Sequence, residues 1–199
     1  MDQNILLVIF IILGYFFGSI PFGFIISKIK NIDIQKQGSG NIGATNVSRV
    51  LGFKYAILVG LLDILKVVFP AILAKQYLNN DWYICLAILA PILGHLFPVW
   101  LKFKGGKAVS GVFASMVVII GWQYSLLFFL VWVIMLKIVK IMSLTNLIII
   151  WFVPLLFWLF THSIAYTCLG LLYVPILYWA HRENIKRLRA GKEKRIIKS

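Results

Sequence analysis

Long apolar runs with hardly a charge in them dictate what this chain can become. They cover Ile5 to about Ile29, Leu51 to Ala74, Trp82 to Leu101, Ala108 to Leu136, Ser143 to Phe160 and Ser163 to Ala180. About 20 apolar residues in helical form cross the ~30 Å hydrocarbon core of a bilayer, and lipid offers no partner to an unpaired backbone group. The runs are therefore read as transmembrane helices, and the fold class as an all-α polytopic integral membrane protein. With 61% hydrophobic and 13% charged residues, the 199-residue chain has material for a single membrane domain, 1–199, and little for a soluble one. The first run has no basic segment before it and is long enough to span, which sets it apart from a signal peptide. Within it Gly14, Gly18, Ser19, Gly23 and Ser27 permit close helix approach, and Pro21 predicts a kink.

Ala108 to Leu136 is read as two crossings broken near Gly121-Trp122-Gln123, and charge decides this. With the N-terminus outside, two crossings place eighteen of the twenty Lys and Arg on the cytoplasmic side, Lys75 outside and Lys66 within a span. A single crossing would move ten of the eighteen outside, against the positive-inside rule. About seven spans follow, with the C-terminus cytoplasmic. Two are short: about 14 residues at 1.5 Å rise reach roughly 21 Å of the ~30 Å core. The net charge of +14 is accounted for first by this orientation, and second by anionic lipid or an anionic substrate. Nucleic acid is not an expected partner. The segment 182–199 is read as a basic cytoplasmic tail on the anionic inner leaflet.

Three polar clusters interrupt the apolar frame, all on the cytoplasmic side. The first is Gly38-Ser39-Gly40-Asn41-Ile42-Gly43-Ala44-Thr45-Asn46, closed by Arg49. Gly38, Gly40 and Gly43 let the backbone take φ > 0 and approach a ligand, and turned-in N–H groups form anion-binding concavities. Ser39, Asn41, Thr45 and Asn46 add side-chain donors, and Arg49 a guanidinium fork. The second cluster runs from Gly94-His95 to Lys104-Gly105-Gly106-Lys107 and repeats the pairing of glycine with positive charge. The third is His181, Asn184 and Arg187. Poor in acids, the three suit one shared interfacial phosphate site without a divalent metal, which usually needs carboxylates. No His/Cys/Glu group has zinc spacing, and Cys85 and Cys168 lie in apolar runs without CxxC spacing.

Each residue also has an ordinary reading. The glycine stretch is a surface turn; Lys107 and Arg187 are positive-inside anchors; His95 and Asn184 cap helix ends. Asp63 and Lys66, three apart and on one helical face, are either a structural buried pair or part of the function.

Ser39-Gly40-Asn41-Ile42-Gly43-Ala44-Thr45-Asn46 with Arg49, Gly94-His95 with Phe103-Lys104-Gly105-Gly106-Lys107, and His181-x-x-Asn184-x-x-Arg187 resemble the three signature segments of the bacterial acyl-phosphate:glycerol-3-phosphate acyltransferases, the PlsY family. The resemblance covers essentially the whole chain. In one place it departs. The family commonly continues the second segment as Gly-Gly-Lys-Gly-Val-Ala-Thr, whereas here it is Gly105-Gly106-Lys107-Ala108-Val109-Ser110-Gly111. Ser110 is the candidate to replace the missing hydroxyl.

The resemblance implies a seven-helix enzyme of the inner membrane, with its active site facing the cytoplasm and no cofactor. It implies acyl transfer from acyl phosphate to the 1-hydroxyl of glycerol 3-phosphate, giving lysophosphatidic acid and inorganic phosphate, with membrane lipid as its surroundings. The implied catalytic set is Ser39, Asn41, Arg49, Lys107 and His181. The implied substrate-binding set is Gly38, Gly40, Gly43, Thr45, Asn46, His95, Lys104, Gly105, Gly106, Asn184 and Arg187. In these roles the glycine backbone with Ser39 and Asn41 binds phosphate or polarises the acyl carbonyl, and Arg49 and Lys107 neutralise phosphate charge. His181 and Asn184 position glycerol phosphate or the leaving phosphate. His95, His181 and a substrate phosphate oxygen are each candidates for the base. The rival class is a membrane anion or lipid transporter. It would use Asp63, Lys66 and the broken spans, but alternating access needs matched polar loops on both faces. The outer loops expected here are short and nearly uncharged. A membrane scaffold, the third reading, leaves the glycine-rich clusters unexplained.

Overall fold

The structure, a computed structural model, describes residues 1–196, so Lys198 of the basic tail lies outside the described residues. All regular structure among them is helical. The first apolar run forms α1 (Gln3–Gly18) and α2 (Phe22–Ile29). They part at Pro21, which has no amide to continue the ladder, and the Phe17 carbonyl accepts the Ile20 N–H instead, at 3.2 Å. A single 3₁₀ turn, Ile34–Lys36, leads to the glycine stretch. That stretch, expected to be irregular as far as Arg49, turns helical halfway: α3 (Ala44–Leu51) carries Thr45, Asn46 and Arg49. Gly52, with φ of +94°, separates α3 from α4 (Phe53–Tyr77). Next come α5 (Asp81–Leu96) and a 3₁₀ turn, Val99–Leu101. The remaining helices are α6 (Val109–Ile120), α7 (Trp122–Val139), α8 (Met142–Ile149), α9 (Phe152–Thr161), α10 (Ile164–Ala180) and α11 (Arg182–Arg189).

Among the described residues, five helical segments are long and apolar enough to cross a membrane: Gln3–Ile29, Phe53–Tyr77, Asp81–Leu101, Trp122–Val139 and Met142–Thr161. α10 and α11, bent by 63° at His181, pass the same test only when taken together as one broken span. The break predicted near Gly121 is present, with Gly121 at φ of +92°. It divides the run unequally, which corrects the expected pair of equal halves: α6 has 12 residues and α7 has 18. α7 is longer because it continues through Lys137 and stops only where Lys140 turns left-handed. α6 alone, at 1.5 Å per residue, reaches only about 18 Å.

The described chain forms two compact units, Met1 to Ser115 and Met116 onward. In the first, α1 lies directly on α5. Gly18 rests on the backbone of Pro91 and Gly94 on the Tyr15 carbonyl, with no room for a Cβ at either position. Small residues let these backbones touch, as in other membrane helix pairs. The Tyr15 hydroxyl donates to the Phe97 carbonyl at 2.7 Å and fixes the end of α5 against α1. α4 has its polarity reversed relative to a soluble helix. Asp63 and Lys66 are buried, while Leu61, Leu65, Phe69 and Ile72 are exposed. That outer face suits lipid. In the second unit, Gly170 of α10 presses on Pro154 of α9. There Trp132 donates from α7 to the Asn146 side chain of α8 at 2.8 Å.

Candidate active site

The glycine stretch sits on a small core of Ile26, Ile34, Ile42, Val47 and Val59. Gly38 (φ +65°) and Gly40 (φ +72°) take the left-handed turns their sequence permits. Asn46, buried on α3, reaches back under the loop. Its Oδ1 accepts the Ser39 N–H at 2.7 Å, and its Nδ2 donates to Gln37 O at 3.0 Å and Ile34 O at 3.4 Å. The Asn46 amide, expected to face a ligand, is therefore committed to shaping the loop. Asn41 also works on the scaffold: its Oδ1 accepts the Gly43 N–H at 2.9 Å, and its Nδ2 donates to Gly105 O at 3.4 Å. That contact joins the first glycine loop to the second. Gly43 caps α3 with its carbonyl, which accepts the Asn46 N–H at 3.0 Å, and no side chain caps the helix, so the Ala44 and Thr45 amides lie at the positive end of the helix dipole. Ser39 and Arg49 are exposed. Neither the Ser39 hydroxyl nor the Arg49 guanidinium has a side-chain partner among the described residues.

The second loop is wrapped around the end of α5. The His95 carbonyl accepts the Gly106 N–H at 3.0 Å, and Pro98 O accepts from Phe103 N, also at 3.0 Å. A Cβ at Gly105 would strike the His95 carbonyl, and one at Gly106 would strike the His95 ring. Glycine is required by close approach here. The imidazole of His95 lies buried beneath the loop, with Nδ1 3.8 Å from Asp63 Oδ1. Asp63 in turn holds Lys66 at 2.8 Å, the pair that the i, i+3 spacing predicts. Lys107 is half-buried and Lys104 exposed.

Ala108, where the family segment commonly has glycine, stands at φ of +62° with its methyl fully buried. The left-handed region costs an L-residue about 1–2 kcal/mol. Burial of one methyl returns about 0.8 kcal/mol. The two nearly offset, so Ala108→Gly is expected to keep activity within about threefold and to change stability by about 1 kcal/mol or less. A large loss of activity in that variant would mean that the methyl itself shapes the site. Ser110 stands in the first turn of α6, half-buried.

The third cluster lies in the second unit. His181 is buried, and its Nδ1–H donates to Leu177 O at 2.9 Å. A neutral ring then keeps its lone pair on Nε2. Asn184 and Arg187 share a partner that the sequence reading missed. Glu193 Oε1 accepts from Asn184 Nδ2 at 2.6 Å and from Ser143 Oγ at 2.9 Å, and its Oε2 accepts from Arg187 Nε at 2.7 Å. Burial pushes the Glu193 carboxyl up, but these three hydrogen bonds and the Arg187 charge outweigh it and hold the group below its ordinary value. The signal was present in the sequence: Glu193 is a lone acid between Lys192 and Lys194, in a chain with only six acids.

Apolar helices joined by cation-bearing glycine loops define a polytopic integral membrane protein. The chain belongs to the glycerol-3-phosphate acyltransferase family, whose model matches residues 8–191. It is 43% identical over 187 residues to the glycerol-3-phosphate acyltransferase of Rhodopseudomonas palustris (strain HaA2), across 94% of this chain and 93% of that protein. Its fold matches crystal structures of PlsY (YgiH), an integral membrane glycerol 3-phosphate acyltransferase. For the glycerol 3-phosphate form the TM-score is 0.89 at 35% identity, over 96% of both chains. For the lysophosphatidic acid form it is 0.86 at 35% identity, over 95% of this chain and 94% of that one. The family and the all-helical membrane fold expected from the sequence both hold.

Proposed function

We propose that this chain transfers a fatty acyl group from acyl phosphate to the 1-hydroxyl of glycerol 3-phosphate, at the cytoplasmic face of the bacterial inner membrane. The products are lysophosphatidic acid and inorganic phosphate, the first step of phospholipid synthesis. The observation that carries this reading is the joining of two glycine loops by Asn41 and Gly105, with an exposed Arg49 guanidinium on α3 that has no acidic partner among the described residues. Such a place suits phosphorylated substrates, and the family membership supplies the acyl transfer. Acyl phosphate is already an activated mixed anhydride, so the protein's task is positioning and charge stabilisation. The glycerol oxygen attacks the acyl carbonyl carbon, the bond from that carbon to the phosphate oxygen breaks, and phosphate leaves with the electron pair. Ser39, the α3 amides, Arg49 and Lys107 are assigned to the phosphate and the developing oxyanion. His181, Asn184 and Arg187 are assigned to glycerol 3-phosphate or the departing phosphate. The hydroxyl proton goes to His181 Nε2 or to a substrate phosphate oxygen. His95, under its loop and facing Asp63, is assigned no proton. Purified protein given acyl phosphate should release phosphate only when glycerol 3-phosphate is present, with an equal yield of lysophosphatidic acid. Acyl transfer from a thioester donor but not from acyl phosphate would overturn the assignment of the donor.

No acyl-enzyme is expected. A serine nucleophile needs a base within hydrogen-bond reach, and the Ser39 hydroxyl has no such partner among the described residues. Protein incubated with radiolabelled acyl phosphate alone and quenched in acid should carry no bound label. Stoichiometric label on Ser39, chased off by glycerol 3-phosphate at a competent rate, would replace direct attack with a two-step route.

The charge distribution supports a seven-span arrangement with the N-terminus outside, the C-terminus inside and Gly121–Gln123 outside. A cysteine placed at Gln123, with Cys85 and Cys168 replaced, should react with an impermeant reagent from the outer face. Reaction from the cytoplasmic face alone would rule out two crossings by α6 and α7.

A further inference from the structure

We infer that the buried Asp63–Lys66 pair, together with His95, is a positioning unit that sets the spacing of the two glycine loops. The inference rests on the proposed reaction only for what the spacing is used for. Stability alone is a poor reason for the pair. Removing two charges from water costs several kcal/mol, and apolar residues of similar volume usually do as well or better. Both side chains are almost fully buried in α4, a helix whose exposed residues from Leu61 to Ile72 are all apolar.

The contacts of the pair lead to both loops. Lys66 Nζ donates to the Ile20 carbonyl at 2.8 Å, at the break between α1 and α2, and lies 5.8 Å from the Phe22 ring centroid. The Ile20 carbonyl lies outside the helical ladder at the break, where it accepts the Phe22 N–H at 3.2 Å, and the ammonium adds a second, charged donor. The same contact fixes the start of α2. One turn further, Gly23 touches the Ile42 carbonyl of the first loop so closely that no Cβ fits. On the other side Asp63 Oδ1 faces His95 Nδ1 at 3.8 Å. The far edge of that ring is covered by Gly106, and the His95 carbonyl holds the Gly106 N–H at 3.0 Å. Lys66 thus reaches the first loop through α2, and Asp63 reaches the second through His95. One ion pair is the common footing of both.

The separation of 3.8 Å is beyond hydrogen-bond reach. His95 Nδ1 is also a buried nitrogen with no hydrogen-bond partner. Pressure on Gly106 from a ligand above it would push the ring toward Asp63 and complete that bond. Unloaded enzymes often hold such bonds long and tighten them on binding.

The test uses the full-length protein in lipid nanodiscs, with Cys85→Ala and Cys168→Ala as background. Spin labels go at Gln37→Cys and Lys102→Cys, exposed positions flanking the two loops. The distance distribution needs no substrate, so it stands whether or not the proposed reaction is right. It should be narrow in the parent and broadened or shifted by Asp63→Asn and by His95→Ala. In steady-state assays the same variants should raise KM for glycerol 3-phosphate about tenfold while changing kcat less, a split that general loss of folded protein does not produce. His95→Ala leaves the ion pair intact and carries the test if Asp63→Asn does not insert. An unchanged distance distribution in the folded variants overturns the positioning role. Altered distances with unchanged KM overturn its use in the reaction.

Discussion

Arg49→Ala lowers kcat/KM by about tenfold to a thousandfold, and Lys107→Ala does the same, while both proteins still insert in the membrane. A charge-assisted phosphate contact is worth about 1.5–3 kcal/mol, and more if it strengthens in the transition state. That range is about one to two decades in rate, and the transition-state contribution extends it toward a third. Arg49 is the cleaner probe. Its guanidinium is exposed on α3 and has no ion-pair or hydrogen-bond partner among the described residues. Removing it orphans no buried group, so the thermal midpoint should stay near that of the parent. Arg49→Lys restores charge without the planar fork and should recover only part of the activity. Steady-state kinetics on purified protein check this, and near-parent kcat/KM in either alanine variant removes that residue from the site.

The largest stability effect belongs to Gly18→Ala. The added methyl would run into the carbonyl and Cα of Pro91, where both partners are backbone and cannot rotate away. Overpacking usually costs about 1–3 kcal/mol, and a clash of two helix backbones lies at or above the top of that range. Separation of α1 from α5 would also release the Tyr15–Phe97 bond at the end of α5. Gly60→Ala is the control. Its methyl would lie 3.9 Å from the Ala44 methyl, an ordinary contact, and helix propensity favours alanine by about 1 kcal/mol. Thermal melting in detergent should show Gly18→Ala far below the parent and Gly60→Ala at or above it. Equal melting of the two variants would mean that the α1–α5 contact is looser than described.

What the sequence made legible follows from what each signal measures. Hydropathy reads the solvent around a helix, so five of the expected spans emerged directly. Pro21 and Gly121 mark backbone limits and located both breaks. α3 was hidden because Thr45-Asn46-Val47-Ser48 is a weak helix former, and its packing through Val47 overrides propensity. Asn46 read as a ligand donor because composition cannot tell an amide turned outward from one turned under its own loop. The i, i+3 rule found Asp63 with Lys66, but His95 joins them from another helix. Glu193 was missed for the same reason: one of its partners, Ser143, is 50 residues away in the chain.

The reversed polarity of α4 bears on how the reaction would be measured. Its apolar flank of Leu61, Leu65, Phe69 and Ile72 is exposed, and the first glycine loop with α3 leads into the start of that helix. Under the proposed reaction one reactant arrives by sliding sideways within a two-dimensional fluid and the other by diffusing through water. The effective dose of the acyl donor is then its mole fraction among the surrounding lipids. Diluting it with inert lipid at constant bulk amount should slow turnover, whereas adding buffer at constant membrane composition and constant glycerol 3-phosphate concentration should not.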